Sequence, residues 1–406
     1  MRRRTGWIAA LLIGSLVAAS CGGDDDDGQA TGAEEQADGA SEELTGEPIK
    51  IGVVGPNESN VAMPWVEESA NVAAAAVNAD GGIDGRPIEI VFCDHKSTPE
   101  GASVCAQRLL QEEQVLMLVG GEGSQDGALL PAVEAADTIL WSTAGASADS
   151  LSNERSYLLL PILVANWGVP QLLPDDLESF AYVSADAAVA REGRERTMAF
   201  FPEDVTIEQI DVPYTATDFQ PYCLSVRQAE AQAVMTAFNP QQIPTMMQTC
   251  NQLGLRDLTW VVPSSVITPE ILDLMDELGL DNRSVQSFNS SAYEGLAADN
   301  DEFGPEVGEV SNLVADQSVA TWLGVKLLPQ LVEGAGAVDA AAIRTWLDQQ
   351  TEFDTGGATP PVDFTAETIP TLPRIKNVTP WGGQWADGTA QPDDEPLEID
   401  FSVLAG

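Results

Sequence analysis

The sequence carries one histidine, His95, and five cysteines, Cys21, Cys93, Cys105, Cys223 and Cys250. A Ser-His-Asp or Cys-His nucleophilic site needs an imidazole base, so any such site here has to be built on His95. His95 follows Cys93 and Asp94 at the end of an apolar run, where a solvated loop histidine is expected. The cysteine spacings are not those of zinc ligands, and no metal is expected. Gly55-Pro56-Asn57, after the first apolar run, lacks the glycine spacing of a dinucleotide fingerprint. There is no Walker-type phosphate loop and no nucleophile elbow. Without an acid, base and nucleophile set the chain reads as a binder that needs no cofactor rather than an enzyme. A hydrolase on an α/β scaffold stays as the alternative from another class, because a fold alone does not fix function.

Ser124 opens the helical segment 125–136, where unpaired N–H groups and the helix dipole favour an anion. Gly145 and Ser147 lie in a loop just after the apolar run 138–142. Loops of that kind are where open α/β sheets bind their ligands, although a serine there can also simply cap the next helix.

The N-terminus reads as an export signal over residues 1–20, with Arg2, Arg3 and Arg4 ahead of an apolar stretch, 7–19, too short to span a bilayer. Ala18-Ala19-Ser20-Cys21 resembles a bacterial lipobox, with Ala18 where leucine is commoner, which implies a lipidated Cys21. Residues 22–47 hold ten acidic residues and no Lys or Arg, and cannot bury enough surface to fold. As a flexible leash they span about 25 to 30 Å. Residues 21–47 are therefore expected to be a lipid anchor and tether.

With Cys21 assigned to lipid, four cysteines remain in an exported chain, and two disulfides are expected. Sequence permits three pairings, and local order favours Cys93 with Cys105 and Cys223 with Cys250. Each short loop then contributes about 3 kcal/mol or less.

The chain has 406 residues and a formal net charge of −46. Loss of the three leader arginines leaves 15 basic against 64 acidic residues, a net −49. Such acidity makes nucleic acid an improbable partner, and diffuse charge serves solubility rather than naming a ligand. The length suits two lobes of roughly 150 residues each.

From residue 48 short apolar runs alternate with helical periodicity. Strands are predicted over 49–54, 87–92, 115–119 and 138–142, with helices over 61–79, from the Thr98-Pro99-Glu100 cap onward, and over 125–136. The alternation resumes after about residue 165, with strands near 180–183, 205–212, 233–237 and 258–262 and a helix over 218–229. Further helices are predicted at 314–332 and 338–350, and turns and short strands at 353–406. The pattern means parallel sheets covered on both faces.

Four stretches carry a resemblance: Ile49-Lys50-Ile51-Gly52-Val53-Val54-Gly55, Asn78-Ala79-Asp80-Gly81-Gly82-Ile83-Asp84-Gly85, Leu118-Val119-Gly120-Gly121 and Thr143-Ala144-Gly145-Ala146-Ser147. In order and spacing they resemble the leucine, isoleucine and valine receptor family, the type I periplasmic binding proteins that serve ABC importers. The resemblance covers roughly 48–390. It implies an α/β fold of two doubly wound parallel-sheet lobes joined by a three-strand hinge. Lobe one would be 48–164 plus 292–376, and lobe two 165–291 plus 377–406. It also implies an exported monomer on the outer face of the cytoplasmic membrane, with an ABC permease as partner; a ligand sensor for a signalling receptor is the alternative.

By the same resemblance, Ser124 takes the place of the serine that binds a ligand carboxylate, and Ser147 that of the hydroxyl beside it. Gly145 falls where backbone groups meet the ligand head. Val189 replaces an expected aromatic, another aromatic position aligns near Asn239 or Phe238, and the acid that grips an amino group aligns with Ser264. A buried ammonium without a carboxylate is costly, so a ligand with a carboxylate or amide head and no free α-amino group is expected. Trp65 and Tyr293 are candidate cleft aromatics.

Overall fold

The computed structural model describes residues 44–59, 61–286, 310–312, 315–386 and 389–404. The leader, Cys21, nearly all of the tether and Tyr293 lie outside the described residues.

The first half of the described chain winds as β1 (Ile49–Gly55), α1 (Trp65–Ala79), β2 (Ile88–Asp94), α2 (Pro99–Gln107), β3 (Leu118–Val119), α3 (Asp126–Ala135), β4 (Leu140–Trp141), α4 (Ala148–Ser152), β5 (Ser156–Tyr157) and α5 (Ile162–Trp167). Its five strands form one parallel sheet in the order β2-β1-β3-β4-β5. The near-continuous apolar run of β1 is buried on both faces, as a central parallel strand requires. α1 turns Val66, Ala70, Ala73, Ala74 and Val77 into the core beneath that sheet. At α2, Thr98 accepts the Gly101 N–H at 3.0 Å and Pro99 sits in the first turn, the cap that the sequence predicts.

The second sheet is built from β6 (Ser179–Ala185), α6 (Ala188–Met198), β7 (Thr206–Val212), α7 (Gln220–Gln228), β8 (Ala233–Ala237), α8 (Ile243–Gln252), β9 (Thr259–Val261), α9 (Pro269–Leu278) and β10 (Asn282–Gln286). Strands β10-β9-β8-β6-β7 are parallel, and a C-terminal hairpin, β11 (Trp381–Ala386) with β12 (Thr389–Pro392), adds antiparallel at the β10 edge. Between β10 and β11 the chain returns to the first sheet with α10 (Asp316–Lys326), α11 (Leu328–Ala335) and α12 (Ala340–Leu347). It thus passes between the sheets after β5, after β10 and before β11. This is the two-lobed α/β fold expected from the sequence.

The segment 314–332 is two helices rather than one. Pro329 has no N–H to continue α10 and stands in the first turn of α11 instead. α10 is buried on every side from Asp316 to Val325, so it has no polar stripe. It lies across β4, where Trp141 Nε1 donates to the Gly324 carbonyl at 2.9 Å and Ser142 Oγ to the Ala320 carbonyl at 2.6 Å. Strands β3, β4 and β5 are only two residues long, shorter than the apolar runs that contain the first two.

Disulfides join Cys93 to Cys105, tying β2 to α2, and Cys223 to Cys250, tying α7 to α8. Of the three possible pairings this is the one that local order favours. Among the described residues no helix is long and apolar enough to cross a membrane.

Candidate functional site

A cavity of about 430 Å³ is lined from both sheets. Its walls come from the carboxyl ends of nine parallel strands. Ser59 follows β1, Lys96 and Ser97 follow β2, Glu122 and Ser124 follow β3, Ala146 follows β4 and Ile162 follows β5. From the other side come Ala187 after β6, Tyr214 after β7, Phe238 and Asn239 after β8, and Ser265 after β9. Facing strand-end loops are the place where open α/β sheets take ligands.

The loop after β3 sets the first wall. Gly120 has φ +66°, and a Cβ there would stand 2.2 Å from Thr321 Oγ1, so only glycine lets the loop lie against α10. The Gly121 N–H donates to that same Thr321 Oγ1 at 3.2 Å. This contact delivers Glu122 to the cavity with its side chain 10% exposed. Glu122 Oε1 accepts a hydrogen bond from Ser124 Oγ at 2.5 Å and lies 3.4 Å from His95 Nε2.

The structure corrects the reading of His95, which is 1% exposed rather than solvated. Its Nδ1 accepts the Ser97 N–H at 2.9 Å, which leaves the ring proton on Nε2, facing Glu122. Burial holds the His95 pKa below its ordinary 6.5, against the opposing pull of Glu122 and Asp94, so the ring is neutral at pH 7. Behind the loop, Asp126 is fully buried and accepts from Thr143 Oγ1 at 2.5 Å. Burial pushes its pKa up to about 8, so it carries a proton at neutral pH.

The second wall is mostly apolar, with Val189, Tyr182 and Phe238 around one buried cation. Arg194, on α6, is 5% exposed, and its Nη1 donates to Ser184 Oγ at 2.8 Å and to Asp211 Oδ1 at 2.6 Å. Its Nε is buried without a partner. Burial first, and then the Glu122 charge, raise the Tyr214 pKa, an effect that reaches from one wall to the other.

Of the residues singled out in the sequence, Ser124, Val189, Phe238 and Asn239 line this cavity together. Ser124 is not the cap of α3, whose N-cap is Gln125; its hydroxyl is directed to Glu122. Gly145, at φ +53° against Leu158, lies one residue from the lining Ala146. Ser147 caps α4, accepting the Ser150 N–H at 3.1 Å. Trp65, the first residue of α1, packs into the core of the first lobe. Ser264 is buried and donates to Asp316 Oδ2 at 2.6 Å, while its neighbour Ser265 faces the cavity. None of Gly145, Ser147, Trp65 and Ser264 is among the lining residues.

Sequence reasoning missed Glu122, Gln317, Arg194 and Tyr214. Glu122 had a signal: it is the one acid in Gly120-Gly121-Glu122-Gly123-Ser124, two residues from a serine already singled out. Arg194 had none, since it stands among other charged residues on α6 and only the fold buries it.

Comparison with curated proteins finds no match. Among solved structures, the chain is similar to the branched-chain amino acid transporter substrate-binding protein LivJ from Streptococcus pneumoniae in complex with isoleucine. Identity is 16% and the TM-score 0.71, over 86% of this chain and 99% of that one. A fatty acid ABC transporter substrate-binding protein from Thermomonospora curvata gives 16% identity and a TM-score of 0.72, over 89% and 95%. An ABC transporter solute-binding protein from R. palustris in complex with 4-hydroxybenzoate gives 18% and 0.69, over 87% and 97%. At these identities the likeness establishes the fold. Residues 48–371 match the periplasmic binding protein family, and the chain belongs to that family.

Proposed function

We propose that this chain is an extracytoplasmic receptor that captures a small molecule between its two lobes and delivers it to an ABC importer. From the sequence alone the expected ligand is carboxylate- or amide-ended, an expectation that takes no account of the acid Glu122 in the cavity wall. The observation that carries this reading is the convergence of nine strand-end loops, from two separate sheets, on one cavity. Residues 48–164 plus 292–376 act as one lobe and 165–291 plus 377–406 as the other. Ligand seated on the first lobe is then covered by the second, whose contacts exist only in the closed form. Ser124, Val189 and Asn239 touch the ligand, with Gly145 and Ser147 shaping the floor from behind. Removal of the leader, lipid on Cys21 and the acidic tether keep the receptor near its permease.

The family membership and the small organic ligands named for the relatives of S. pneumoniae and R. palustris support the reading. A thermal-shift panel of organic acids, amides and amino acids tests it. A ligand at a hundred times its Kd stabilises the folded state by about 2.7 kcal/mol, which raises Tm by a few degrees. If no member raises Tm, the receptor reading fails. If a member is consumed on incubation, the protein is an enzyme instead.

A further inference from the structure

We propose that the cavity recognises a molecule whose buried end donates hydrogen bonds, as an ammonium or an amide N–H does, to Glu122 and Gln317, and which carries no carboxylate there. The proposal rests on the receptor reading and assigns the chemical class of its ligand.

Three observations converge. Glu122 brings a carboxylate to the first wall, and both of its contacts, with Ser124 Oγ and His95 Nε2, fall on Oε1. An anionic ligand head at Ser124 would sit against that carboxylate, and like charges repel at so short a range. The Ser124 hydroxyl already donates its hydrogen bond to Glu122, so it presents an acceptor rather than a donor to a ligand.

Gln317 supplies the second acceptor. It lines the cavity, is 2% exposed, and donates through Nε2 to the Ser265 carbonyl at 3.0 Å. That bond fixes which end of the amide is oxygen. Its Oε1 is buried without a partner, a state that costs free energy until a donor arrives. Gln317 stands one helical turn before Thr321, and Thr321 Oγ1 holds the N–H of Gly121, the residue before Glu122. Thr321 thus ties the loop that carries Glu122 to the helix that carries Gln317.

The third observation lies opposite. Arg194 lines the cavity with a buried, unpartnered Nε, a donor that can take an acceptor at the far end of the ligand. Met63, Ile162, Val189, Phe238 and Val266 supply apolar surface between the two ends. The site thus takes donors on the first lobe, the reverse of a carboxylate-binding head. A free α-amino acid, whose carboxylate adjoins its ammonium, would bring that carboxylate against Glu122.

Calorimetric titration with 3-phenylpropylamine, 3-phenylpropanamide and 3-phenylpropanoate, which share a body and differ at one end, tests this. The amine or the amide is expected to bind at least tenfold more tightly than the acid. Glu122→Gln is expected to weaken the amine at least tenfold and the acid not at all. Binding of the acid as tightly as its partners, amine affinity unchanged in Glu122→Gln, or no binding of any of the three at millimolar concentration overturns the proposal. In those cases a Tm rise with other panel members leaves the receptor reading standing, and its absence removes both. Should Glu122→Gln not fold, the ranking on the unaltered protein decides.

Discussion

His95 Nε2 stands 3.4 Å from Glu122 Oε1, so the chain's single histidine and the acid of its cavity face each other beneath the loop after β3. The imidazole bridges two strand ends, taking the Ser97 N–H after β2 and facing Glu122 after β3. Its role is positional. His95→Ala leaves the Ser97 N–H without its acceptor and opens a cavity, and is expected to destabilise the fold by about 1 to 3 kcal/mol. Urea unfolding at pH 7 measures that loss.

Two buried carboxyls set a pH dependence of the opposite kind from that of most acids. Burial raises Asp126 to about 8 and Asp316 to about 7, above the ordinary 3.8. Between pH 4 and pH 7 to 8 the folded state holds protons that the unfolded state has lost. Stability from these groups is therefore present at low pH and falls as pH rises through their folded values. Asp126→Asn keeps an acceptor for Thr143 and needs no proton. It is expected to match the unaltered protein within about 1 kcal/mol at pH 5 and to exceed it at pH 9. Chemical denaturation at the two pH values shows whether the order changes.

Burial lowers the pKa of His95, which gives the reverse sign. The unfolded state takes up a proton near pH 6.5 while the folded state resists it until lower pH. Stability from this group is present above 6.5 and is lost as pH falls below it. In His95→Gln the stability lost between pH 7 and pH 5 should be smaller than in the unaltered protein, as read from the urea midpoint at both values.

Gly120 carries both a left-handed backbone and a close approach. A Cβ there would meet Thr321 Oγ1 at 2.2 Å and Thr321 Cα at 2.7 Å. Gly120→Ala is expected to cost about 2 to 4 kcal/mol, above the roughly 1 kcal/mol of backbone strain alone. Gly254, at φ +87° with open space around its Cβ position, isolates the strain component. Gly254→Ala should cost about 1 kcal/mol by the same denaturation measurement.

The Cys223–Cys250 bond closes a separation of 27 residues between α7 and α8. Replacing both cysteines by alanine is expected to lower stability by about 3 kcal/mol. Cys93–Cys105 closes 12 residues and should cost slightly less. Thermal melts of the two double variants rank them.

The two-lobed fold was legible because a parallel strand buried on both faces must be written as an apolar run, as β1 and β8 are. The division of 314–332 was harder to read, since α10 is buried all round and offers no polar stripe to mark its end. In the cavity, Ser124 was reached through a glycine-rich loop and Val189 only through the family resemblance, and both line the walls. Partners were not. Ser124 turns to Glu122 and Ser264 to Asp316, and a side chain's hydrogen-bond partner across 52 residues leaves no periodicity in the sequence. His95 looked like a loop residue because nothing in its local sequence marks that the fold buries it beside Glu122.

One small molecule is expected to be held between the two sheets. A crystal structure of the protein with the compound that raises Tm most tests it directly. That molecule is expected in the cavity, within hydrogen-bond distance of Glu122 or Gln317 and in contact with Val189, Phe238 or Asn239 from the other lobe. A saturating compound found outside the cavity, or touching one lobe only in a closed molecule, contradicts it.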